Sequence, residues 1–99
     1  NLSSYQTLTV LELRGNNFSG NIPESLGSAR SLQEIDVSNN SLQGGLPQSI
    51  ASLQNLREFN FDNNNLSGSV SNAICSLGLL ELTADCNEIT CTCCTQCFP

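Results

Sequence analysis

Apolar and polar positions recur along this chain in a fixed phrase. Within residues 32–56 the apolar slots are Leu32, Ile35, Val37, Leu42, Leu46, Ile50 and Leu53, with Asn40, Gly44 and Pro47 at set places between them. One unit upstream the same slots hold Leu8, Leu11, Leu13, Asn16, Phe18, Gly20, Ile22, Pro23 and Leu26. One unit downstream they hold Leu56, Phe59, Phe61, Asn64, Leu66, Gly68, Val70 and Ile74. Leu8, Leu32 and Leu56 are 24 residues apart, as are Asn16, Asn40 and Asn64. Around Leu11, Ile35 and Phe59 apolar and polar residues alternate, which is the period of a half-buried strand. Each such strand is too short to stand alone. Stacked one unit apart, residues 10–14, 34–38, 58–62 and 81–85 are predicted to form one parallel sheet over a continuous core. Residues 23–28 and 47–52 are predicted to make one short helical turn each, since proline suits a first helical position. The asparagines fall where the chain turns inward after each strand. An amide side chain offers two donors and an acceptor for backbone groups left unpaired there, so their expected role is structural.

The repeats divide the chain. Residues 1–7 read as the tail of a truncated upstream repeat, because Leu2 precedes Leu8 by the same six residues that separate Leu26 from Leu32. Residues 8–78 hold three repeats without a linker. Residues 79–99 are a degenerate last repeat and a cap: Leu79, Leu82, Ala84, Asn87 and Ile89 keep the first half of the phrase, starting 23 residues after Leu56 instead of 24. The uncovered start makes the chain read as the C-terminal fragment of a longer repeat protein, against the alternative of a short natural protein beginning at Asn1.

A period in this range with L-x-x-L-x-L-x-x-N-x-L is the mark of leucine-rich repeats. The run Gly20-Asn21-Ile22-Pro23-Glu24-Ser25-Leu26-Gly27 resembles the second half of the plant-type repeat, G-x-I-P-x-x-L-G. Later copies drift, with Ala51 and Cys75 at the second glycine and Ser71 at the proline. The resemblance covers residues 2 to about 82. It implies an α/β solenoid, a right-handed coil with a short-stranded parallel sheet on the concave face and an irregular, 3-10 or short helical convex side. Plant-type repeats serve mostly in receptor ectodomains and in secreted inhibitors of foreign enzymes, so the resemblance implies that functional range. The cap phrase from Leu82 to Cys97 also resembles the ends of some microalgal repeat proteins.

Cysteine usage adds a compartment. Cys75, Cys86, Cys91, Cys93, Cys94 and Cys97 make an even count crowded into the last quarter of the chain. That favours disulfides and an oxidising environment, with 15 possible pairings. Cys75, from the convex side of the last full repeat, is placed to tie the cap to the solenoid. The competing reading is a thiolate metal site, but there is no histidine and the spacing is not the paired C-x-x-C of zinc folds. Sequons at Asn1, Asn17, Asn39 and Asn65 agree with a secretory route, and Asn17, Asn39 and Asn65 are the candidate glycosylation sites.

Charge narrows the partners. Nine acids against three basic residues give a net charge of −6, which argues against nucleic acid and against attachment to anionic lipid. No apolar run is long enough to span a membrane, so no membrane contact is expected in this segment. Strand alternation aims three positions of each repeat outward: Val10, Glu34, Glu58 and Glu81; Glu12, Asp36, Asn60 and Thr83; Arg14, Ser38, Asp62 and Asp85. Seven of the nine acids therefore share one face. From this set Glu12, Arg14, Glu34, Asp36, Glu58, Asn60, Asp62, Glu81 and Asp85 are the candidate ligand-binding residues. The expected partner is a protein or glycan with a basic or hydroxyl-rich surface, and no cofactor or metal is expected. An open sheet offers no apolar wall to shift a carboxyl pKa, so an enzyme is not expected. The function read from this is an extracellular recognition module of a receptor-like or secreted protein. The alternative is a structural spacer in a cell wall, matrix or adhesion protein.

Overall fold

The computed structural model describes residues 9–86 and 88–98. Its frame is a five-stranded parallel sheet in the order β1 (Val10–Glu12), β3 (Glu34–Asp36), β5 (Glu58–Asn60), β8 (Glu81–Asp85) and β10 (Gln96–Phe98). The first four are the repeat strands expected from the alternation; β1, β3 and β5 end two residues earlier than predicted, and β8 has the predicted length. Past β1 and β3 the ladder nevertheless continues as backbone bonds from Leu13 N to Asp36 O and from Gly15 N to Ser38 O. The register is one repeat per strand: Leu11 lies beside Ile35, Ile35 beside Phe59, and Phe59 beside Leu82.

The fifth strand is a departure from expectation. The sequence identifies the cysteine-rich segment only as a cap, yet Gln96, Cys97 and Phe98 pair with Thr83, Ala84 and Asp85. Sequence alternation over three residues is too brief to announce a strand. The edge that β8 would otherwise expose supplies the ladder that β10 completes.

Below the main sheet, β2 (Ser19–Gly20), β4 (Ser41–Gly44) and β6 (Asn65–Leu66) form a second parallel sheet, and β7 (Gly68–Ser69) pairs with β9 (Ile89–Thr90). The recurring glycine lies at or beside these strands because the backbone there is left-handed. Gly20, Gly44 and Gly68 have φ of 85, 83 and 94°, a region that a side chain makes costly.

On the opposite side, Glu24–Ser28 and Gln48–Ser52 are 3-10 turns that start after Pro23 and Pro47. Where serine replaces the proline the element changes. Ser71 Oγ accepts the Ile74 amide at 3.3 Å and caps a short α-helix, α1 (Asn72–Cys75), as N-cap serines do. Gly27 is needed for the turns to stack: a Cβ there would overlap the side chain and carbonyl of Ser49.

Between the two sides the apolar slots stack in columns. Leu26, Ile50 and Ile74 are buried in one, Val37, Phe61 and Ala84 in another, and Leu42, Leu66 and Ile89 in a third. The first described repeat is less covered: Phe18 is 46% exposed, whereas its equivalents Leu42 and Leu66 are 6% and 2% exposed. A cavity of about 200 Å³ opens there, beside Leu11, Leu13 and Phe18. The expectations for Leu2 and Leu8, and the last consensus asparagine, Asn87, lie outside the described residues.

The asparagines act as the amide accounting requires. Asn40 Nδ2 donates to the carbonyls of Leu13, Val37 and Ser38, while its Oδ1 accepts the amides of Asn16 and Phe18. Asn64 repeats the pattern one unit on, donating to Val37, Phe61 and Asp62 and accepting from Leu42. Each side chain thus bonds the preceding repeat as well as its own turn.

All six cysteines are paired: Cys75 with Cys93, Cys86 with Cys97, and Cys91 with Cys94. The first bond fastens α1 to the cap, and the second fastens β8 to β10. This pairing removes the metal alternative for these thiols.

Candidate functional site: the exposed face of the five-stranded sheet

Parallel pairing in register turns the outward positions into rows that run across the strands. The first row is Val10, Glu34, Glu58 and Glu81. The second is Glu12, Asp36, Asn60, Thr83 and Gln96. Beyond it lie Arg14, Ser38 and Asp62, with Asp85 beside Phe98 at the cap.

In the first row three carboxylates stand one strand apart, about 4.8 Å in a sheet. Like charges this close cannot all ionise freely. The middle one responds: hydrogen bonding with Glu81, then with Glu34, raises the Glu58 carboxyl from 4.5 to about 7, with desolvation and the charges of both neighbours adding to the rise.

Two outward positions are not exposed as expected. Thr83 is 4% exposed, because β10 lies alongside it and Gln96 is its partner in register. Its hydroxyl donates to Asp62 Oδ1 at 2.7 Å and lies 3.0 Å from Asn60 Oδ1. Ser38 is also 4% exposed, and Asp36 Oδ1 accepts both its hydroxyl, at 2.6 Å, and its amide, at 3.0 Å. A strand's alternation says which way a side chain points. It does not say whether a neighbour will cover it.

The remaining candidates separate by what they touch. Asp85 accepts the backbone amides of Asn63 and Asn64 at 2.7 and 3.0 Å, so its carboxylate serves the turn behind the sheet. Arg14 pairs with Glu12 at 3.6 Å, with both side chains largely exposed. It is the one ion pair among the described residues. Asp36, Asn60, Asp62 and Glu81 come together in a shallow groove of about 190 Å³ that also contains Arg14, Ser38, Asn39 and Thr83.

Gln96 and Phe98 complete that groove, and sequence reasoning missed both. The only available signal was that an even number of cysteines would fold the tail back on the last repeat. It gave no register.

Asn17, Asn39 and Asn65, the three sequon asparagines within the described residues, are all exposed. Asn17 and Asn39 sit in the left-handed region with φ of 57 and 58°. Asn39 Oδ1 accepts a hydrogen bond from Asn63 Nδ2. The fully engaged asparagines, Asn40 and Asn64, are not in sequons.

Among the described residues no cluster of potential metal ligands occurs, and no helix is long and apolar enough to cross a membrane.

Comparison with known proteins adds a family. A model described as leucine rich repeat matches residues 6–66, well over half of the chain. No curated protein sequence matches. Among similar solved structures is the BIR2 ectodomain from Arabidopsis thaliana, at 26% identity and a TM-score of 0.47. The match covers 75% of this chain and 54% of that one, so this chain spans about half of that ectodomain's length.

Proposed function

This chain belongs to the leucine-rich repeat family, and from that premise we propose that it is an extracellular recognition module whose exposed sheet face binds a basic surface on a partner protein. Leucine-rich repeats are typically protein-binding modules, and solenoids use their extended sheet surfaces for the purpose. One observation carries the assignment of the face. Glu34, Asp36, Glu58, Asp62 and Glu81 share it in register, and among the described residues its one ion pair, Arg14 with Glu12, leaves these five without a cationic partner. Aligning like charges costs stability. A partner that brings arginine or lysine offsets the cost and is steered in by the same field. A spacer would have no use for charge concentrated on one side.

The covalent chemistry supports the extracellular compartment. Three disulfides persist where the surroundings are oxidising. Asn17, Asn39 and Asn65 are exposed as acceptor sites must be, and we assign them as the glycosylated positions. A glycan on Asn17 would sit on the turn after β1 and one on Asn65 in β6 of the second sheet, whereas one on Asn39 would border the groove on the sheet face.

The test compares immobilised wild-type protein with a Glu34→Gln, Glu58→Gln, Asp62→Asn triple variant, using extracellular protein extracts and quantitative mass spectrometry. Proteins captured by the wild type should be lost from the variant and should associate more slowly as salt is raised. Identical capture by both proteins, with identical salt dependence, overturns the assignment of the face.

A further inference from the structure

The groove at the cap end of the sheet is more selective than a charged surface. We propose that it is a subsite for a single arginine side chain presented by the partner protein. This rests on the reading of the sheet face given above and adds the chemistry of what is recognised there.

Three features of the groove carry the proposal. The first is size: the groove is shallow and crosses the sheet from Arg14 to Phe98, and its volume of about 190 Å³ is about that of one long side chain laid along it. The second is its carboxylates. Asp62 is fixed by the buried Thr83 hydroxyl, and Asp36 by the Ser38 amide and hydroxyl. Glu81 stands in the adjoining row. Arg14 shares the groove but is paired with Glu12, so the three carboxylates outnumber the cation.

The third feature is the aromatic ring of Phe98. It reaches the groove only because β10 joins the sheet, and it is half-buried beside Asp85 in register. An aromatic face beside fixed carboxylates matches a guanidinium better than an ammonium. The guanidinium is planar, stacks on rings and presents a fork of N–H donors to carboxylates. An ammonium is a compact, strongly hydrated point charge that gains less from such a wall.

Because the groove is built partly from the cap, it can be distinguished from the rest of the face. The Glu34 and Glu58 side of the sheet offers carboxylates without an aromatic ring. The assigned subsite therefore depends on Phe98 as well as on charge.

The experiment is an amide NMR titration of the oxidised, folded protein with N-acetyl-arginine amide, and with its lysine and citrulline counterparts. Arginine should give saturable shifts at the amides of Asn60, Thr83, Gln96 and Phe98. Lysine should bind several-fold more weakly, and citrulline, which keeps the shape without the charge, should show no saturation. Asp62→Asn should weaken arginine binding about tenfold, the loss expected for a hydrogen bond to a charged group. Phe98→Leu should weaken it about threefold through the cation–π contact. Glu24→Gln, on the opposite side, should change nothing. A dispersed amide spectrum for each variant establishes that it has folded. Equal binding of citrulline, saturable shifts at other amides, or undiminished binding by folded Asp62→Asn and Phe98→Leu variants overturns the subsite. If arginine fails to bind while the triple variant still loses its captured proteins, the face stands and the arginine subsite falls.

Discussion

Asp85 accepts the backbone amide of Asn64 at 3.0 Å through one carboxylate oxygen and that of Asn63 at 2.7 Å through the other. In the preceding repeats the same position in the chain works through its backbone: Asn39 donates to the Asp62 carbonyl and Gly15 to the Ser38 carbonyl. The last repeat therefore secures its neighbour's turn with a side chain.

Replacing Asp85 with alanine should remove both acceptors. Asn64 is mostly buried, so its amide would lose its partner with little water to replace it. The expected loss is about 2 kcal/mol, seen as a lower urea midpoint at an unchanged slope. An unaltered midpoint would show that the turn holds without Asp85.

The asparagine column should be graded by position. Asn64→Ala takes a donor from the carbonyls of Val37, Phe61 and Asp62, of which Asp62 keeps the Asn39 amide, and strands the Leu42 amide, so a loss of about 3 kcal/mol is expected. Asn16 is exposed, and among the described residues its side chain bonds the Leu13 and Arg14 carbonyls, so truncating it should cost below about 1 kcal/mol. Equal losses at the two sites, measured by denaturant unfolding, would contradict this ordering.

The three disulfides should differ in the stability that each confers. Cys75–Cys93 joins residues 18 apart, Cys86–Cys97 joins residues 11 apart, and Cys91–Cys94 joins residues 3 apart. In the chain-entropy model the longest loop contributes about 3 kcal/mol and shorter loops contribute less. Paired Cys→Ser variants should rank in that order by thermal denaturation. The largest loss on removing Cys91–Cys94 would reverse the expectation.

The glutamate row predicts a pH dependence. The Glu58 carboxyl sits near 7 in the folded protein and near 4.5 when unfolded. Between these values the folded chain holds the proton that the unfolded chain has released, so stability falls as pH rises from about 4.5 to about 7. Glu58→Gln keeps hydrogen-bonding capacity without the titration and should flatten the slope in that window. Urea midpoints that fall equally steeply in the variant would place the effect on other groups.

Gly27→Ala tests the packing of the convex side. The added methyl would collide with Ser49, whose hydroxyl already donates to the Glu24 carbonyl at 2.7 Å. Overpacking of this kind costs about 1–3 kcal/mol. An unchanged melting temperature would mean that the two turns separate freely.

The sequence by itself determined the solenoid. A 24-residue spacing of Leu8, Leu32 and Leu56, with alternation around Leu11, Ile35 and Phe59, leaves few ways to bury those side chains except by stacking. The asparagines at 16, 40 and 64 and the glycines at 20, 44 and 68 were legible for the same reason. Both residue types recur at the repeat spacing, and the asparagines' bonds, though they reach the preceding repeat, recur with it. The crowding of acids on one face was legible too, because a strand's side chains alternate whatever surrounds it.

Only the tertiary structure decided what the cap does. The pairing of Cys75 with Cys93 and of Cys86 with Cys97 depends on which atoms meet after folding, and spacing left 15 possibilities. Those bonds fold the tail back so that β10 joins the sheet, covers Thr83 and carries Gln96 and Phe98 onto the acidic face. The same long-range packing took Asp85 away from that face and gave it to the Asn64 turn. These outcomes rest on contacts between residues far apart in the chain, which no local periodicity encodes.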